Sequence, residues 1–308
     1  QCDNLLNQLK PKNSPGLDGL PAEFYKTIWQ KIRIVLVNSY NESYDDGQLI
    51  ESQRKAVISL IFKKGDAELL SNYRPISLTC VDYKILAFCL ANRQRVIKYI
   101  VSSSQVAYIK DRYIGCNVRL IEDIIEYYDN ADRQGVLMML DFKKAFDMLE
   151  WKFIFHVLEK FNFGESFIHW IKTLYNSPIA CVKNNGYISR DICIERSVRQ
   201  GCPVSVLLYI LAVEILAVSI RQNENITGLS VGDDTESIKI MQYADDGVLF
   251  LKNTFELEEA INTISRFGHI AGTVLNKGKC EGLWLGRLKN RQENCNLFDM
   301  KWPTEPKR

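Results

Sequence analysis

Apolar residues follow two different periods along this chain of 308 residues. Recurrence every three or four positions is typical of a helix with one buried face, whereas short continuous or alternating apolar runs are typical of strands. The first pattern predicts helices over residues 22–40, about 80–100, 115–130, 153–161, 206–220 and about 255–271. The second predicts strands at 56–62, 76–78, 136–140, 180–182 and 191–194, with another pair around 243–246. Because helices and strands mix without regular βαβ alternation, this order predicts an α+β fold.

The composition is that of a folded domain, with 46% hydrophobic residues, 25% charged residues and a net charge of +2 from 39 basic and 37 acidic residues. A chain of this length and apolar content can bury a large core, which excludes global disorder and small disulfide-stabilised scaffolds. The near-neutral balance also excludes a histone-like polycation. Any binding of nucleic acid must therefore come from local segregation of charge.

Nine cysteines are scattered along the chain without a C-x-x-C spacing, and only three histidines are present. This pattern predicts neither a structural zinc site nor a disulfide framework, and it favours an intracellular protein of the nucleus or cytoplasm with reduced thiols. The longest apolar run, residues 206–220, contains Glu214 and is shorter than the roughly 18 residues that a membrane span needs. It predicts a buried helix and no association with a membrane.

Three carboxylates stand at the ends of predicted strands. Asp141 directly follows the apolar run 136–140, and the pair Asp245-Asp246 lies between the largely apolar runs 238–241 and 248–251. Two charges about 4 Å apart repel by roughly 4 kcal/mol at an effective dielectric constant near 20. If the three carboxylates converge, a divalent cation would offset this repulsion. Ligands that are all oxygen favour Mg²⁺ or Mn²⁺ over zinc.

A second acid pair occurs in Gly232-Asp233-Asp234, which has the same letters as a motif of RNA-dependent RNA polymerases. Its flanking residues are polar turn formers, so it lacks the apolar strands that would hold a metal site. We therefore interpret it as an exposed hairpin loop.

Six blocks in collinear order resemble the reverse transcriptase domain of non-LTR (LINE-type) retrotransposons. They are Ser14-Pro15-Gly16-Leu17-Asp18-Gly19, Lys63-Lys64-Gly65-Asp66 with Asn72-Tyr73-Arg74-Pro75-Ile76-Ser77-Leu78, Leu140-Asp141-Phe142-Lys143-Lys144-Ala145-Phe146-Asp147, Arg199-Gln200-Gly201-Cys202-Pro203, Tyr243-Ala244-Asp245-Asp246, and Leu275-Asn276-Lys277-Gly278-Lys279. A bare Ala-Asp-Asp is common by chance. Six ordered blocks across nearly the whole chain form a specific signal.

The resemblance implies a right-hand polymerase fold with fingers and palm subdomains, a central antiparallel palm sheet and no thumb in this chain. It places an N-terminal extension and the fingers in residues 1–132 and the palm in 133–290, of which 150–200 border the fingers. Residues 291–308 would be a truncated connection toward a thumb. Both ends of the chain are expected to be cuts in a longer polyprotein that also has endonuclease and thumb regions.

The same resemblance implies synthesis of DNA from deoxynucleoside triphosphates on template RNA and primer DNA. Asp141 and Asp245 would hold two Mg²⁺ ions, with Mn²⁺ as the alternative metal, and Asp246 would support them. One ion would lower the pKa of the primer 3′-hydroxyl, and the other would neutralise the triphosphate and the leaving pyrophosphate.

The resemblance also implies that several basic residues contact phosphates. Arg74 and one of Lys63 or Lys64 would clamp the incoming triphosphate, since a guanidinium fork suits phosphate oxygens. Arg112 and Arg199 are also expected among the residues placed for phosphates.

The resemblance further implies that other residues lie around the bound nucleotide. Phe146 would lie under the sugar and exclude a 2′-hydroxyl, and Phe142 is grouped with it as substrate-binding. Gln200 and Gly201 would line the nucleotide and template side, where glycine permits close backbone approach. Lys279 would donate a proton to the pyrophosphate.

The chain departs from the family pattern at several places. It reads Ala107-Tyr108-Ile109-Lys110-Asp111-Arg112 where Gly-Phe-x-x-Gly-Arg is common, in a block expected to contact the template strand. Val206 stands where many relatives carry proline, and Gly247 follows the acid pair where threonine is usual. None of these changes removes an expected metal ligand.

Two alternative hypotheses remain open at this point. A catalytically inactive, retrotransposon-derived remnant would act only as an RNA- or protein-binding module; intact Asp141, Asp245 and Asp246 argue against it, and the expected truncation favours it. A palm-fold nucleotide cyclase would also use paired carboxylates. The long segment before Asp141 disfavours a cyclase, because such domains start near their first metal-binding strand.

Overall fold

The computed structural model describes Leu6, Leu9 and residues 12–92, 96–232, 236–289 and 297–303. The chain divides into two compact units. The first unit consists of Gln1–Arg95 and Glu150–Leu208, and the second consists of Val96–Leu149 and Tyr209–Arg308. Each unit therefore combines two separate stretches of chain. The division of the sequence into fingers and palm stays a prediction.

Helices lie at most of the positions that the apolar periodicity predicts, and the described residues form further helices that it did not predict. Their bounds are α1 (Ala22–Asp45), α2 (Glu51–Arg54), α3 (Val81–Ala91), α4 (Ile97–Ile100), α5 (Ile114–Asn130), α6 (Ala145–Met148), α7 (Trp151–Lys160), α8 (Glu165–Leu174), α9 (Pro203–Gln222) and α10 (Thr254–Ala271). Short 3₁₀ turns lie at Leu70–Asn72, Gly286–Leu288 and Leu297–Asp299. The predicted helix over about 80–100 is wrong as a single element, because α3 and α4 are separate helices.

The strands include every predicted apolar run and add further short segments. Their bounds are β1 (Lys55–Phe62), β2 (Tyr73–Thr79), β3 (Gly135–Leu140), β4 (Ile179–Asn184), β5 (Tyr187–Ile188), β6 (Ile192–Cys193), β7 (Ile240–Tyr243), β8 (Asp246–Leu251) and β9 (Glu281–Leu285). Together the helices and strands confirm the α+β class.

The first unit contains a mixed sheet with the strand order β2-β1-β4-β5, and β6 also pairs with β4. β1 and β2 form an antiparallel hairpin, whereas β1 and β4 are parallel. In the same unit, the aromatic rings of Tyr25 and Trp29 on α1 pack in one buried cluster with Val81 and Ile85 of α3. Burial of these rings fixes the N-terminal helix against α3.

The second unit contains an antiparallel sheet with the strand order β7-β8-β3-β9. β3 lies between β8 and β9, and its residues Val136, Leu137 and Met138 are fully or almost fully buried. A continuous apolar run is what a strand covered on both faces requires. The predicted central antiparallel sheet is confirmed.

The apolar run 206–220 lies in α9 (Pro203–Gln222), as predicted. By length and composition alone this helix could cross a membrane, but most of it is buried inside the protein. Among the described residues, α9 thus has the burial of a core helix of a folded protein.

Candidate active site

The strand register of the second unit brings the predicted carboxylates to one end of its sheet. Leu140 at the end of β3 pairs with Gly247 of β8. One step further along the same antiparallel register, Asp141 faces Asp246, and residues directly opposite in such a pair project to the same face. Asp245 immediately precedes Asp246 at the start of β8.

Electrostatic coupling shows that the three acids share one environment. The pKa of Asp246 is raised from its ordinary value, mainly because burial disfavours the charged form, and further because Asp245 and Asp141 add negative charge nearby. Such a group of carboxylates gains when a cation is placed between them. Its donors are all carboxylate oxygens, so the residues present fit a hard divalent ion such as Mg²⁺ or Mn²⁺.

A two-residue loop connects β7 to β8 and presents the acid pair. Tyr243 and Asp246 form the last strand pair, which leaves Ala244 and Asp245 in the loop. Ala244 has a φ of 54°, in the left-handed region, and it is buried. Two-residue hairpin loops need positive φ angles, which glycine normally supplies.

Asp141 is held by the segment that precedes β9. The side-chain amide of Asn276 donates to Asp141 Oδ1 at 2.8 Å, and the Asn276 backbone N–H donates to the Asp141 carbonyl at 2.7 Å. The Asp141 backbone N–H is 3.4 Å from Cys280 Sγ. Sequence reasoning assigned no role to Asn276, although it lies in the block Leu275-Asn276-Lys277-Gly278-Lys279.

The predicted sugar gate is in the same unit as the carboxylates. The ring of Phe146 stacks on the ring of Tyr209, with centroids 4.3 Å apart and planes 12° apart. Tyr209 is buried on α9, and burial together with the charges of Asp245 and Asp246 raises the pKa of its hydroxyl well above the usual value. Tyr209 is therefore a neutral, rigid backing for the Phe146 ring, a role that the sequence did not indicate.

Phe142 and Lys279 also lie in the second unit. Phe142 is half-buried and forms an isolated antiparallel bridge with Leu275. Lys279 is exposed, and its backbone N–H donates to the carbonyl of Asn276 at 2.8 Å. The turn that carries Lys279 is thus the same turn that orients Asp141.

The predicted triphosphate clamp lies in the first unit, at the loop end of the β1–β2 hairpin. Arg74 pairs with Ile61 in this hairpin, and the Lys63 backbone N–H donates to the carbonyl of Asn72 at 2.9 Å. The side chains of Lys63, Lys64 and Arg74 are all exposed. They form a basic hairpin end with cationic groups available to phosphate oxygens.

Gln200 and Gly201 lie against β2, in the same unit as Arg74. The Ser77 backbone N–H donates to the carbonyl of Gln200 at 2.9 Å. Gly201 has a φ of 108°, and a Cβ atom built there would lie 2.9 Å from the carbonyl oxygen of Ser77. The close approach that this glycine permits is to the backbone of β2.

The prediction that Arg112 and Arg199 face phosphates is wrong, because both guanidinium groups are used inside the protein. The guanidinium of Arg112 donates to four backbone carbonyls, those of Lys98, Val101, Ser102 and Gln105. Arg199 is only 6% exposed; its guanidinium donates to the carbonyl of Arg54 at 2.7 Å and lies over the ring of Tyr83.

Another group of potential metal ligands lies in the first unit. One ligand atom from each of Asp18, Cys80 and Asp82 lies within 4.8 Å of the others. Burial raises the pKa of the Cys80 thiol to about 11, and the Asp82 carboxylate accepts from the Gln53 amide at 3.0 Å. A protonated thiol and a hydrogen-bonded carboxylate do not match the oxygen-only set of the second unit.

The second acid pair is flanked by a short antiparallel pairing. Leu229 and Ile238 exchange two backbone hydrogen bonds, at 2.9 and 2.7 Å, as a hairpin requires. Asp233 and Asp234 lie outside the described residues.

The predicted site residues are therefore divided between the units. The second unit contains Asp141, Asp245, Asp246, Phe142, Phe146 and Lys279, and the first contains Lys63, Lys64, Arg74, Gln200 and Gly201.

The chain is similar in sequence to known proteins of one family. Residues 61–297 match the family described as "Reverse transcriptase (RNA-dependent DNA polymerase)". The chain is 34% identical over 300 residues to the "Transposon TX1 uncharacterized 149 kDa protein" of Xenopus laevis, a match covering 97% of this chain and 23% of the relative. It is 28% identical to a "Retrovirus-related Pol polyprotein from type-1 retrotransposable element R2" of Popillia japonica, covering 72% of this chain and 31% of the relative.

A further relative is the "RNA-directed DNA polymerase from mobile element jockey" of Drosophila funebris, which is 25% identical, with 91% of this chain and 31% of the relative covered. The chain thus spans between 23% and 31% of the length of these relatives. The relatives are retrotransposon proteins, as the resemblance of the sequence blocks implied.

Solved structures share the fold at low sequence identity. The telomerase of Candida Tropicalis superposes with a TM-score of 0.55 at 12% identity, covering 95% of this chain and 49% of that chain. The telomerase of Candida albicans superposes with a TM-score of 0.51 at 13% identity, covering 84% and 46% respectively. At such identity the likeness confirms the polymerase fold of fingers and palm and carries no information about substrates.

Proposed function

Because this chain belongs to the reverse transcriptase (RNA-dependent DNA polymerase) family, we propose that it is the RNA-directed DNA polymerase core of a retrotransposon protein. The observation that carries the proposal is the convergence of Asp141, Asp245 and Asp246 at one end of an antiparallel sheet. The reaction joins a deoxynucleoside monophosphate to a primer 3′-hydroxyl and releases pyrophosphate.

Reverse transcriptase domains use divalent metal ions, and the three carboxylates are the groups that would hold them here. We assign Asp141 and Asp245 as ligands of two Mg²⁺ ions, with Asp246 in support. Bound ions of this kind polarise the attacking hydroxyl and neutralise the phosphates of an in-line displacement. The raised pKa of Asp246 supports this assignment, because burial is its main cause and the nearby charges of Asp245 and Asp141 add to it, so a bound cation would offset both effects.

The remaining residues bind and orient the nucleotide in this proposal. The basic hairpin end (Lys63, Lys64 and Arg74) carries exposed cations suited to the triphosphate. The ring of Phe146 is stacked on Tyr209, and in this proposal it would lie under the incoming sugar and exclude a 2′-hydroxyl. This selects deoxynucleotides.

The same proposal assigns roles to three further residues. Gln200 and Gly201 line the template side next to β2, and exposed Lys279 donates a proton to the pyrophosphate. The substrates are template RNA, primer DNA and deoxynucleoside triphosphates. The domain works within a longer polyprotein in the nucleus or cytoplasm.

The test is primer extension on an RNA template by the full-length protein that contains this chain, compared with its Asp245→Asn variant in the presence of Mg²⁺. We expect Asp245→Asn to abolish extension, because it removes a metal-binding charge and keeps the side-chain shape. Asp123→Asn is the matched control, since Asp123 is a partly exposed residue of α5 that pairs with Arg119 at 2.8 Å. Equal extension by wild type and Asp245→Asn would contradict the assignment.

A further inference from the structure

The loop that presents the acid pair contains an unfavourable backbone conformation. Ala244 has a φ of 54°, which its Cβ disfavours, and it carries no side-chain group that could compensate. Such a conformation persists where surrounding contacts over-determine it. The contact that holds the Ala244 backbone is therefore of direct interest for the geometry of Asp245 and Asp246.

That contact comes from Gln105, which lies 139 residues before Ala244 in the chain. The Ala244 backbone N–H donates to Gln105 Oε1 at 3.1 Å, and the Ala107 backbone N–H donates to the same oxygen at 3.0 Å. Gln105 has no exposed surface. One buried amide oxygen thus holds the acid-pair loop on one side and its own segment on the other.

The segment around Gln105 is attached to the edge of β7. The Gln242 backbone N–H donates to the Ser104 carbonyl at 2.9 Å, and the Val106 N–H donates to the Gln242 carbonyl at 3.1 Å. These bonds form an isolated parallel bridge between Gln105 and Gln242. The bridge covers the edge of the sheet and fixes the distance between Gln105 and the loop that follows β7.

Arg112 fixes the same segment from inside. Its guanidinium collects the carbonyls of Ser102 and Gln105 together with two earlier carbonyls of the same stretch. The buried carboxylate of Glu214 accepts from the Ser102 N–H at 3.3 Å and from Arg221 at 2.5 Å. The backbone of Gln105 therefore has little freedom to move.

We propose that Gln105 is a positioning residue for Asp245 and Asp246, and that Arg112 holds Gln105 in place. A neutral amide suits this position, because it accepts two hydrogen bonds without adding a further negative charge beside three carboxylates. The block Ala107-Tyr108-Ile109-Lys110-Asp111-Arg112, which the sequence assigned to the template strand, acts here through Arg112 as internal support for the metal site. The role in polymerisation rests on the proposed function, whereas the role in the geometry of the loop does not.

The primary test variant is Gln105→Met, which keeps the length of the side chain and removes the acceptor. Three properties of the full-length protein are measured: amide hydrogen exchange at Ala244, binding of Mn²⁺ alone followed by electron paramagnetic resonance, and primer extension. We expect exchange at Ala244 to be faster and the Mn²⁺ midpoint to be higher, each by about tenfold, the order expected when one buried hydrogen bond is lost. We expect kcat to fall while KM for the deoxynucleotide is unchanged.

A second-site variant provides a rescue experiment. Glycine adopts a positive φ without steric cost, so the double variant Gln105→Met/Ala244→Gly should regain a substantial part of the lost Mn²⁺ affinity. Arg112→Lys should shift the Mn²⁺ midpoint in the same direction as Gln105→Met, because a lysine cannot reach four carbonyls at once. It also supplies the test if Gln105→Met does not fold.

Glu256→Gln is the matched control in the same unit. Buried Glu256 accepts from the backbone N–H groups of Thr227, Gly228 and Lys252, so its replacement should lower thermal stability. None of these three bonds involves the acid-pair loop. We expect Glu256→Gln to leave the Mn²⁺ midpoint unchanged.

The outcomes separate the two proposals. A Gln105→Met variant with wild-type exchange at Ala244 and a wild-type Mn²⁺ midpoint would overturn the positioning role, as would an equal shift in Glu256→Gln. If wild type binds Mn²⁺ and the midpoint responds to Gln105→Met while no primer is extended, the positioning role stands and the proposed function fails.

Discussion

Replacement of Asn276 by leucine removes a single donor from the carboxylate of Asp141. The Asn276 side-chain amide donates to Asp141 Oδ1 at 2.8 Å, and its backbone N–H donates separately to the Asp141 carbonyl at 2.7 Å. Leucine has the same branched heavy-atom skeleton as asparagine, with bulkier methyl groups in place of the amide, and it keeps the backbone bond. The variant therefore tests the orientation of the carboxylate and leaves the loop in place.

The size of the effect follows from the charge of the acceptor. A hydrogen bond to a charged group contributes about 1.5–3 kcal/mol, and each 1.4 kcal/mol corresponds to about tenfold in an equilibrium constant. We thus expect Asn276→Leu to raise the Mg²⁺ midpoint and to lower the rate of primer extension, each by roughly tenfold to a hundredfold. The expected loss is smaller than that of Asp245→Asn, which removes a ligand.

The assay is a Mg²⁺ titration of primer extension by the full-length protein, together with a thermal unfolding curve for each variant. Asn253→Leu is the control, because Asn253 is an asparagine of the same unit whose side chain accepts from the Glu256 backbone N–H at 3.0 Å and caps α10. Loss of this cap costs about 1 kcal/mol of stability and should leave the Mg²⁺ midpoint unchanged.

A role of Asn276 in orienting Asp141 is refuted if Asn276→Leu shows the wild-type Mg²⁺ midpoint and extension rate. It is also refuted if Asn253→Leu and Asn276→Leu shift the midpoint equally, since a general loss of stability would then explain both results.

Three other predictions concern single side chains. Phe146→Val, and to a smaller extent Tyr209→Leu, should raise incorporation of ribonucleotides relative to deoxynucleotides, whereas Tyr209→Phe keeps the stacked ring; an unchanged ratio in Phe146→Val means that the gate is misassigned. Gly201→Ala should lower the free energy of unfolding in denaturant by about 1–3 kcal/mol, because Gly201 has a φ of 108°; wild-type stability would contradict this. Asp111→Gly should gain up to about 1 kcal/mol, since Asp111 has a φ of 68°, and a loss in thermal unfolding would count against it.

The elements around the three carboxylates were predictable because their patterns are local. The apolar run before Asp141 must be buried on both faces, and β3 lies between two other strands. Apolar runs on both sides of Asp245-Asp246 predicted a hairpin, and β7 and β8 form it. The period of two along a strand makes such predictions strong.

Roles that depend on burial were not predictable. Arg112 and Arg199 have the same side chain as Arg74, yet Arg74 is exposed while the other two donate to internal carbonyls. A guanidinium can donate to phosphate oxygens and to carbonyl oxygens, so residue type alone does not show which of them an arginine binds. The burial of the surrounding backbone distinguishes them.

Asp111 explains one departure from the family pattern. Its φ of 68° is a conformation that glycine prefers and that aspartate tolerates better than most residues. Aspartate can therefore replace glycine here without a change in backbone conformation, which the sequence of the block did not indicate.

The sequence alone determined the family of the chain, its α+β class, its three acidic residues and the strands that carry them. Each of these follows from residue type and from periods of a few positions. The folded arrangement determined which groups meet: Asn276 with Asp141 across 135 residues, and Gln105 with Ala244 across 139. Contacts at such separations depend on strand register and on the shape of the packed core. No local period in the sequence predicts such contacts, so Asn276 and Gln105 could be identified only from the tertiary structure.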